Sequence, residues 1–228
     1  MKKSIAFGFF LCVIGFSNVS AQDTGWETGI NISGGGAWTK PTFGAASADF
    51  SWHYGAGVYG RKLFKPGVGI ELGVQFGQYS TFTEIETYFN DMIDAQVGYN
   101  GDPAIVQYNR HIRYVEIPVK FVYLKNMNKF GIGFNLGVAP SIPVQGIDNR
   151  KITGETAEAG TMRINRTQDM RGFNIFGETA LILRANIKPH FSLDFKPFFR
   201  GSLMAAYKSG GNYHPYTLGL SVSTVYKF

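Results

Sequence analysis

Residues 113 to 124, RYVEIPVKFVYL, place Val115, Ile117, Val119, Phe121 and Tyr123 at odd positions and Tyr114, Glu116, Pro118, Lys120 and Val122 at even ones. Successive side chains of an extended strand point to opposite faces. This stretch therefore has one unbroken apolar face and another carrying a carboxylate, an amine and a proline. Such a strand suits surroundings with hydrocarbon on one wall and enclosed ionic groups on the other.

The same period recurs in seven more stretches. Trp26, Thr28, Ile30 and Ile32 oppose Glu27, Gly29, Asn31 and Ser33, and Trp52, Tyr54, Ala56 and Val58 oppose His53, Gly55, Gly57, Tyr59 and Arg61. Val68, Ile70, Leu72, Val74 and Phe76 oppose Gly69, Glu71, Gly73, Gln75 and Gly77, while Phe130, Ile132, Phe134, Leu136 and Val138 oppose Gly131, Gly133, Asn135 and Gly137. Phe173, Ile175, Thr179, Leu181 and Leu183 oppose Asn174, Glu178 and Arg184. Phe191, Leu193, Phe195 and Phe199 oppose Ser192, Asp194, Lys196 and Arg200, and Tyr216, Leu218, Leu220, Val222 and Tyr226 oppose Thr217, Gly219, Ser221, Ser223 and Lys227.

Eight stretches make an even-numbered antiparallel set, and the expected fold is all-β, an eight-stranded antiparallel up-and-down transmembrane β-barrel. Strands of about 12 residues rise roughly 40 Å, which a tilt of roughly 45° brings near the thickness of a bilayer core. The connections alternate in length. Those at 64 to 67, 125 to 129 and 185 to 190 are short, and those at 38 to 51, 82 to 109, 145 to 171 and 206 to 214 are longer and polar. Short inner turns and long outer loops are the pattern of outer-membrane barrels.

Residue size sets the sidedness. The polar face is rich in Gly, Ser and Asn, and an eight-stranded interior is just wide enough for side chains, so small residues must alternate there with a few large ones. The apolar face has no such limit and is expected to meet lipid. Glu71, Glu116, Glu178 and Asp194 then share the interior with Arg61, Lys120, Arg184, Lys196 and Arg200. Unpaired, each buried ion would cost several kcal/mol. A paired network forming a closed plug is expected, with a proton relay or gated path as the alternative. Trp26, Tyr123, Tyr226 and Phe228 should form an inner aromatic girdle, and Trp52, Tyr54 and Tyr216 an outer one. Pro118, Pro140 and Pro197 each remove one amide from a ladder, so bulges or broken pairing are expected there.

The first 21 residues, MKKSIAFGFFLCVIGFSNVSA, combine Lys2 and Lys3 with an apolar run from about Ile5 to Phe16 and a small-residue cleavage site at Val19-Ser20-Ala21. They read as a cleaved secretory signal peptide, leaving residues 22–228 as one barrel domain exported to the bacterial outer membrane. The single cysteine, Cys12, falls in that segment, so the mature chain has no thiol, disulfide or cysteine metal ligand. Loss of Lys2 and Lys3 leaves 20 basic residues against 16 acidic ones, a net charge of +4. The basic residues are scattered, with no run or recognition helix for nucleic acid. With 29 Gly, 20 Phe and 12 Tyr beside 17% charged residues, the composition favours aromatic-faced strands over a helical enzyme. The ending Tyr226-Lys227-Phe228 resembles the signal read by the barrel-insertion machinery.

Tyr114-Val115-Glu116-Ile117-Pro118 followed by Lys120, with GFNLGVAP from Gly133 to Pro140, resembles the PorT-like outer-membrane β-barrel family of Bacteroidetes-type bacteria. The resemblance spans the mature chain and implies the eight-stranded fold and an outer-membrane location. One member type serves protein secretion and gliding, and no motif here assigns this chain to that role.

Some eight-stranded barrels modify lipids with Ser, His and acid groups near the outer rim, which brings Ser51, His53 and His111 into view. By phase, His53 faces the interior and His111 the lipid side, and no acid is fixed nearby in sequence. TEIETYFNDMID, residues 83 to 94, has Ile85, Phe89, Met92 and Ile93 at near-helical spacing, with Glu84, Glu86, Asp91 and Asp94 between them. It reads as a short amphipathic helix capping the mouth or a calcium-binding loop, although the acids do not match an EF-hand. Arg150, Lys151, Arg163, Arg166 and Arg171 enrich the third outer loop, which is either simply solvated or in contact with lipopolysaccharide phosphates or a partner. No catalytic set, cofactor or metal is expected. The function expected is a non-catalytic integral barrel that binds an envelope partner or lipopolysaccharide through its outer loops. The alternatives are an accessory factor for secretion or assembly and a lipid A-modifying hydrolase.

Overall fold

The computed structural model describes residues 25–39, 47–49, 51–64, 67–88, 103–154, 160–208 and 213–228. The signal-peptide reading of residues 1–21, with Cys12, lies outside them, as does the mouth segment after Tyr88.

The strands are β1 (Gly25–Thr39), β2 (Ser47–Asp49), β3 (Ser51–Leu63), β4 (Val68–Tyr88), β5 (Pro103–Glu116), β6 (Val119–Met127), β7 (Phe130–Gly154), β8 (Gly160–Asn165), β9 (Asn174–Lys188), β10 (Phe191–Ser202) and β11 (Pro215–Lys227). All pairings are antiparallel. Each neighbour pairs with the next, β1 with β3, β3 with β4, β4 with β5 and β6, and both of these with β7. β7 pairs with β9, β9 with β10, β10 with β11, and β11 returns to β1. Since β5 and β6 are two halves of one crossing, the ring has eight staves and no free edge. β2 and β8 are short additions on β4 and β7 above the ring.

Alternation is what closes this wall. The inward positions hold Gly at many sites, and one of these and one turn glycine show why. At Gly137 an added Cβ would come within 2.2 Å of the Val119 carbonyl oxygen and 2.7 Å of the Lys120 Cα, where β6 crosses. In the β3–β4 turn, Gly67 has φ of +95°, and a Cβ there would meet the Leu124 carbonyl oxygen at 2.4 Å. Asn128 supplies the left-handed residue of the β6–β7 turn.

Outside, the wall is a belt of exposed aliphatic and aromatic side chains, among them Ile30 at 62%, Leu72 at 53%, Leu136 at 58% and Leu218 at 60% exposure. Trp26, Tyr226 and Phe228 stand exposed at the end carrying the short turns, and Trp52 and Tyr54 at the other. A soluble monomer rarely exposes apolar patches beyond a few hundred Å². In lipid the same belt is the low-energy arrangement of a transmembrane barrel.

The prolines behave differently from one another. At Pro118 the assigned strand breaks without slipping, because Glu116 pairs with Gln75 and Val119 with Leu72, in one continuous register. The Pro118 carbonyl accepts from Gly73 N at 3.1 Å. At Pro197 the β9 ladder skips from Phe195↔Leu183 to Phe198↔Ala180. Pro140 keeps its place opposite Ile175 in the β9 ladder, while on its other side the ladder skips from Val119↔Val138 to Glu116↔Ser141 without slipping. A register shift falls at Pro143, where Tyr114 pairs with Pro143 but Arg113 with Gln145. The extra residue reverses the facing of β7 beyond that point.

A correction concerns residues 83 to 88. They continue β4 as strand, paired with β5 up to Tyr88↔Pro103, so this half of the proposed amphipathic helix is extended. The outer connections are thus partly built of strand: β4, β5, β7 and β8 rise together above the belt.

Candidate functional site

The interior is layered from the inner turns to the mouth. The floor is apolar, made of Leu63, Val122, Leu124 and Ile182. Above it all nine ions expected inside are buried, and Glu27 joins them. Sequence reading placed Glu27 on the inward phase but left it out of the charge count. With it the barrel core has Glu27, Glu71, Glu116, Glu178 and Asp194 against Arg61, Lys120, Arg184, Lys196 and Arg200, which cancel.

Arg184 donates from NH1 to Glu27 Oε1 at 2.6 Å and from NH2 to Glu27 Oε2 at 2.8 Å, while its Nε donates to Asp194 Oδ1 at 2.7 Å. Arg61 serves three acids: NH2 donates to Glu71 Oε2 at 2.6 Å, and NH1 reaches Glu27 Oε2 and Asp194 Oδ2, each at 3.1 Å. Lys196 lies 3.8 Å from Glu71 and sits over the Tyr59 ring. Lys120 joins this tier to the next, 3.8 Å from Glu71 and in direct contact with Glu178. There Arg200 bonds Glu116 and lies 3.5 Å from Glu178, and Tyr79 donates to Glu116 at 2.9 Å.

A buried carboxylate or guanidinium alone costs several kcal/mol, and only close pairing with further hydrogen bonds offsets that. Here each acid meets at least one base, so the interior is a charge-paired plug, although Arg200 Nε and the Asn135 amide have no hydrogen-bond partner among the described residues. Beside it is a cavity of about 20 Å³ lined by Tyr59, Glu71, Gln75, Lys120, Lys196 and Ser221, room for a water.

Aromatic rings close the tier above. Tyr79 stacks on Phe176 with centroids 4.8 Å apart, and Tyr114 meets both edge-on. Over them, Met170, Ala206, Tyr207 and Tyr213 complete the same buried cluster. The segment before β9 and the connection before β11 are laced together across the mouth by Arg171 N to Ala206 O at 3.0 Å and Lys208 N to Asp169 O at 2.9 Å. Burial raises the phenols of Tyr207 and Tyr213, the latter up to about 12. Arg166, bonded to Asp169 at 2.9 Å, has its own value raised by that carboxylate.

The three residues weighed for catalysis are not brought together. His53 is buried inside, bonding the Gln78 carbonyl at 3.1 Å through Nδ1 and Ser33 Oγ at 3.5 Å through Nε2, and Ser51 shares its face of β3. His111 lies on the outward phase of β5, as expected, with Nδ1 2.8 Å from Ser80 Oγ. Ser80 was not foreseen, because only the strand pairing Ser80↔His111 brings it there. Of the third-loop bases, Lys151 and Arg163 are exposed, Arg150 lies over the Tyr108 ring, Arg166 lies between Asp148 and Asp169, and Arg171 Nε reaches the Tyr207 carbonyl. Among the described residues there is no cluster of His, Cys, Asp and Glu fit to hold a metal, and Asp91 and Asp94 of the calcium reading lie outside them.

Directly above the belt a polar row crosses the outer wall, Tyr54↔Gln78, Gln78↔Arg113 and Arg113↔Gln145 being ladder partners. Tyr54 OH donates to Gln78 Oε1 at 2.6 Å, Arg113 Nε to the same oxygen at 2.7 Å, and Arg113 NH1 to Gln145 Oε1 at 2.6 Å.

No family model and no curated protein matches the chain in sequence. Among solved structures it is similar to Ail, the attachment invasion locus protein of Yersinia pestis, in complex with the heparin analogue sucrose octasulfate, at 13% identity over 89% of this chain and 99% of that one, with a TM-score of 0.41. Neisserial surface protein A follows at 10% identity, 89% and 97% coverage and a TM-score of 0.41. The outer membrane protease OmpT of Escherichia coli gives 10%, 93% and 99%, and 0.45. Scores this low, at such identities, transfer nothing to this chain, which is read from its own residues.

Proposed function

We propose that this chain is a non-catalytic integral protein of the bacterial outer membrane, exported by a cleaved leader, whose interior passes no solute and whose rim above the membrane binds an envelope partner or lipopolysaccharide. The observation behind this reading is one juxtaposition: a belt fit for hydrocarbon surrounds an ionic plug whose charges cancel. A plug of this kind gives a rigid stalk, and the strands that rise beyond the belt are what is left to make contacts. Arrest of a purified, refolded sample at background conductance in planar bilayers supports the closed interior. Stepwise single-channel openings would refute it. Cross-linking in intact cells from cysteines placed at Lys151 and Arg163, followed by identification of what is captured, separates an envelope protein, as an accessory factor in secretion or assembly requires, from lipopolysaccharide.

A second reading, lipid hydrolysis, has one observation in its favour, the 2.8 Å contact of Ser80 Oγ with His111 Nδ1 on the outer wall. Against it, Ser80 is nine-tenths buried and no described carboxylate bonds His111. A Ser80→Ala strain whose lipid A masses equal those of the wild type removes it; a mass difference revives it.

A further inference from the structure

The outer row at Arg113 is placed and charged in a way the plug does not require. Beneath it lies an apolar row, Ala56↔Phe76, Phe76↔Val115 and Val115↔Ile142, with Phe76, Val115 and Ile142 exposed. Arg113 is two residues above Val115 on the same face of β5, a rise of roughly 7 Å along the strand. Its guanidinium therefore stands at the height where hydrocarbon gives way to lipid headgroups.

Its hydrogen-bond partners are both neutral. Gln78 and Gln145 hold Nε and NH1 with amide oxygens, and no acid pairs with Arg113 among the described residues. Two fixed bonds pin the planar group and leave its charge uncompensated beside an apolar surface. The charge therefore calls for an anion from the surroundings, and a guanidinium is the side chain best matched to phosphate geometry.

The neighbours agree with that demand. His111 is two residues further up the same face, with Ser80 Oγ at 2.8 Å. Arg163 and Lys151 are exposed higher on the wall, Arg163 opposite Asn149 and Lys151 opposite Thr161. Of the acids near this stretch, Glu84 accepts from Gln107 at 3.0 Å, and Asp148 is taken up by Arg110 at 3.2 Å and Arg166 at 3.7 Å. Trp52 and Tyr54, both exposed, mark the interface on the adjoining strand.

We propose that Arg113, braced by Gln78 and Gln145 with His111 and Ser80 beside it, binds a phosphate group of an outer-leaflet lipid on the outer wall of the barrel. The proposal rests on the membrane reading above and gives it a specific lipid contact, on the wall instead of the loops.

The test uses the full mature chain refolded in neutral detergent, with insertion into phosphatidylcholine vesicles scored first by heat-modifiable gel migration. A wild-type protein that does not insert refutes the membrane reading, and this proposal with it, before any ligand is added. Wild type and Arg113→Gln are then given diphosphorylated lipid A, the same lipid A stripped of phosphate, and inorganic phosphate alone, and bound molecules are counted by native mass spectrometry. Expected is retention of diphosphorylated lipid A by wild type, a loss of about tenfold or more in Arg113→Gln, and the same loss for the stripped lipid. Equal retention by wild type and variant overturns the site, and so does equal retention of stripped lipid. Inorganic phosphate held as tightly as lipid A overturns the lipid assignment. Should Arg113→Gln not fold, Arg113→Lys serves, where binding at wild-type strength overturns the role of the guanidinium fork and weaker binding upholds it.

Discussion

Arg184 on β9 grips both carboxylate oxygens of Glu27 on β1, at 2.6 and 2.8 Å, although two strands separate them around the ring. The pair is thus a tie across the interior, independent of the ladders that form the wall. Asp194 shares Arg184, and Arg61 shares Glu27, so a change at any of the four is felt by the rest.

Glu27→Ala leaves two guanidiniums short of a partner in a buried space. Removing one member of a buried pair costs about 3–5 kcal/mol. Reversible urea unfolding in phospholipid vesicles should show a midpoint lowered accordingly. A double replacement, Glu27→Leu with Arg184→Met, should cost less than the two single changes added together, because neither charge is then left alone.

At Gly137, β7 passes close against the Lys120 backbone of β6. Gly137→Val pushes a side chain against the Val119 carbonyl and the Lys120 stem, and overpacking of this kind costs about 1–3 kcal/mol. The folded, heat-modifiable fraction after refolding should drop for Gly137→Val and stay unchanged for Ile142→Val, which faces outward.

These two sites also show how far the sequence speaks. The eight strands and the inward phase of nine ions were legible because alternation is a local property. Glu27 was on the correct face, but its partners Arg61 and Arg184 lie on β3 and β9, and no local pattern announces such a tie. Residues 83 to 88 carry two periods at once, helical through Ile85 and Phe89 and alternating through Thr81, Thr83, Ile85 and Thr87. Pairing with β5 decides for the strand. Pro140 and Pro143 look alike in sequence, and only the register of β7 against β5 places the bulge at the second. Arg113 lacked any motif; its meaning comes from the rows above and below it.

Tyr213 gives a pH-dependent latch at the mouth. Burial pushes its phenol from an ordinary value of 10 up to about 12, while Thr81 and Arg110 pull the other way. Below pH 10 the group is neutral folded or unfolded and costs nothing. Between 10 and 12 the unfolded chain ionises and the folded one does not, so stability falls through that window. In the difference titration of wild type minus Tyr213→Phe at 295 nm, the missing phenol should ionise near pH 12, and the variant should lose less stability across the same window.

The belt sets a price on charge. Leu72→Arg, near the middle of the outward face of β4, should destabilise the folded barrel in vesicles by about 2–4 kcal/mol. Arginine at Asn109, above the belt, should cost about 0–1 kcal/mol on the same scale. Parallel unfolding curves for the two variants check the difference.

The central claim is one of sidedness, and spin labels measure it directly. The mature chain is expected to have no cysteine of its own, so Leu72→Cys, Leu136→Cys and Gln75→Cys can each be labelled singly and reconstituted in vesicles. Collision with oxygen should far exceed collision with a water-soluble nickel chelate at Leu72 and Leu136, and both should be low at Gln75, inside the plug. Nickel collisions at Leu72 and Leu136 as frequent as those of a label in solution would contradict the account.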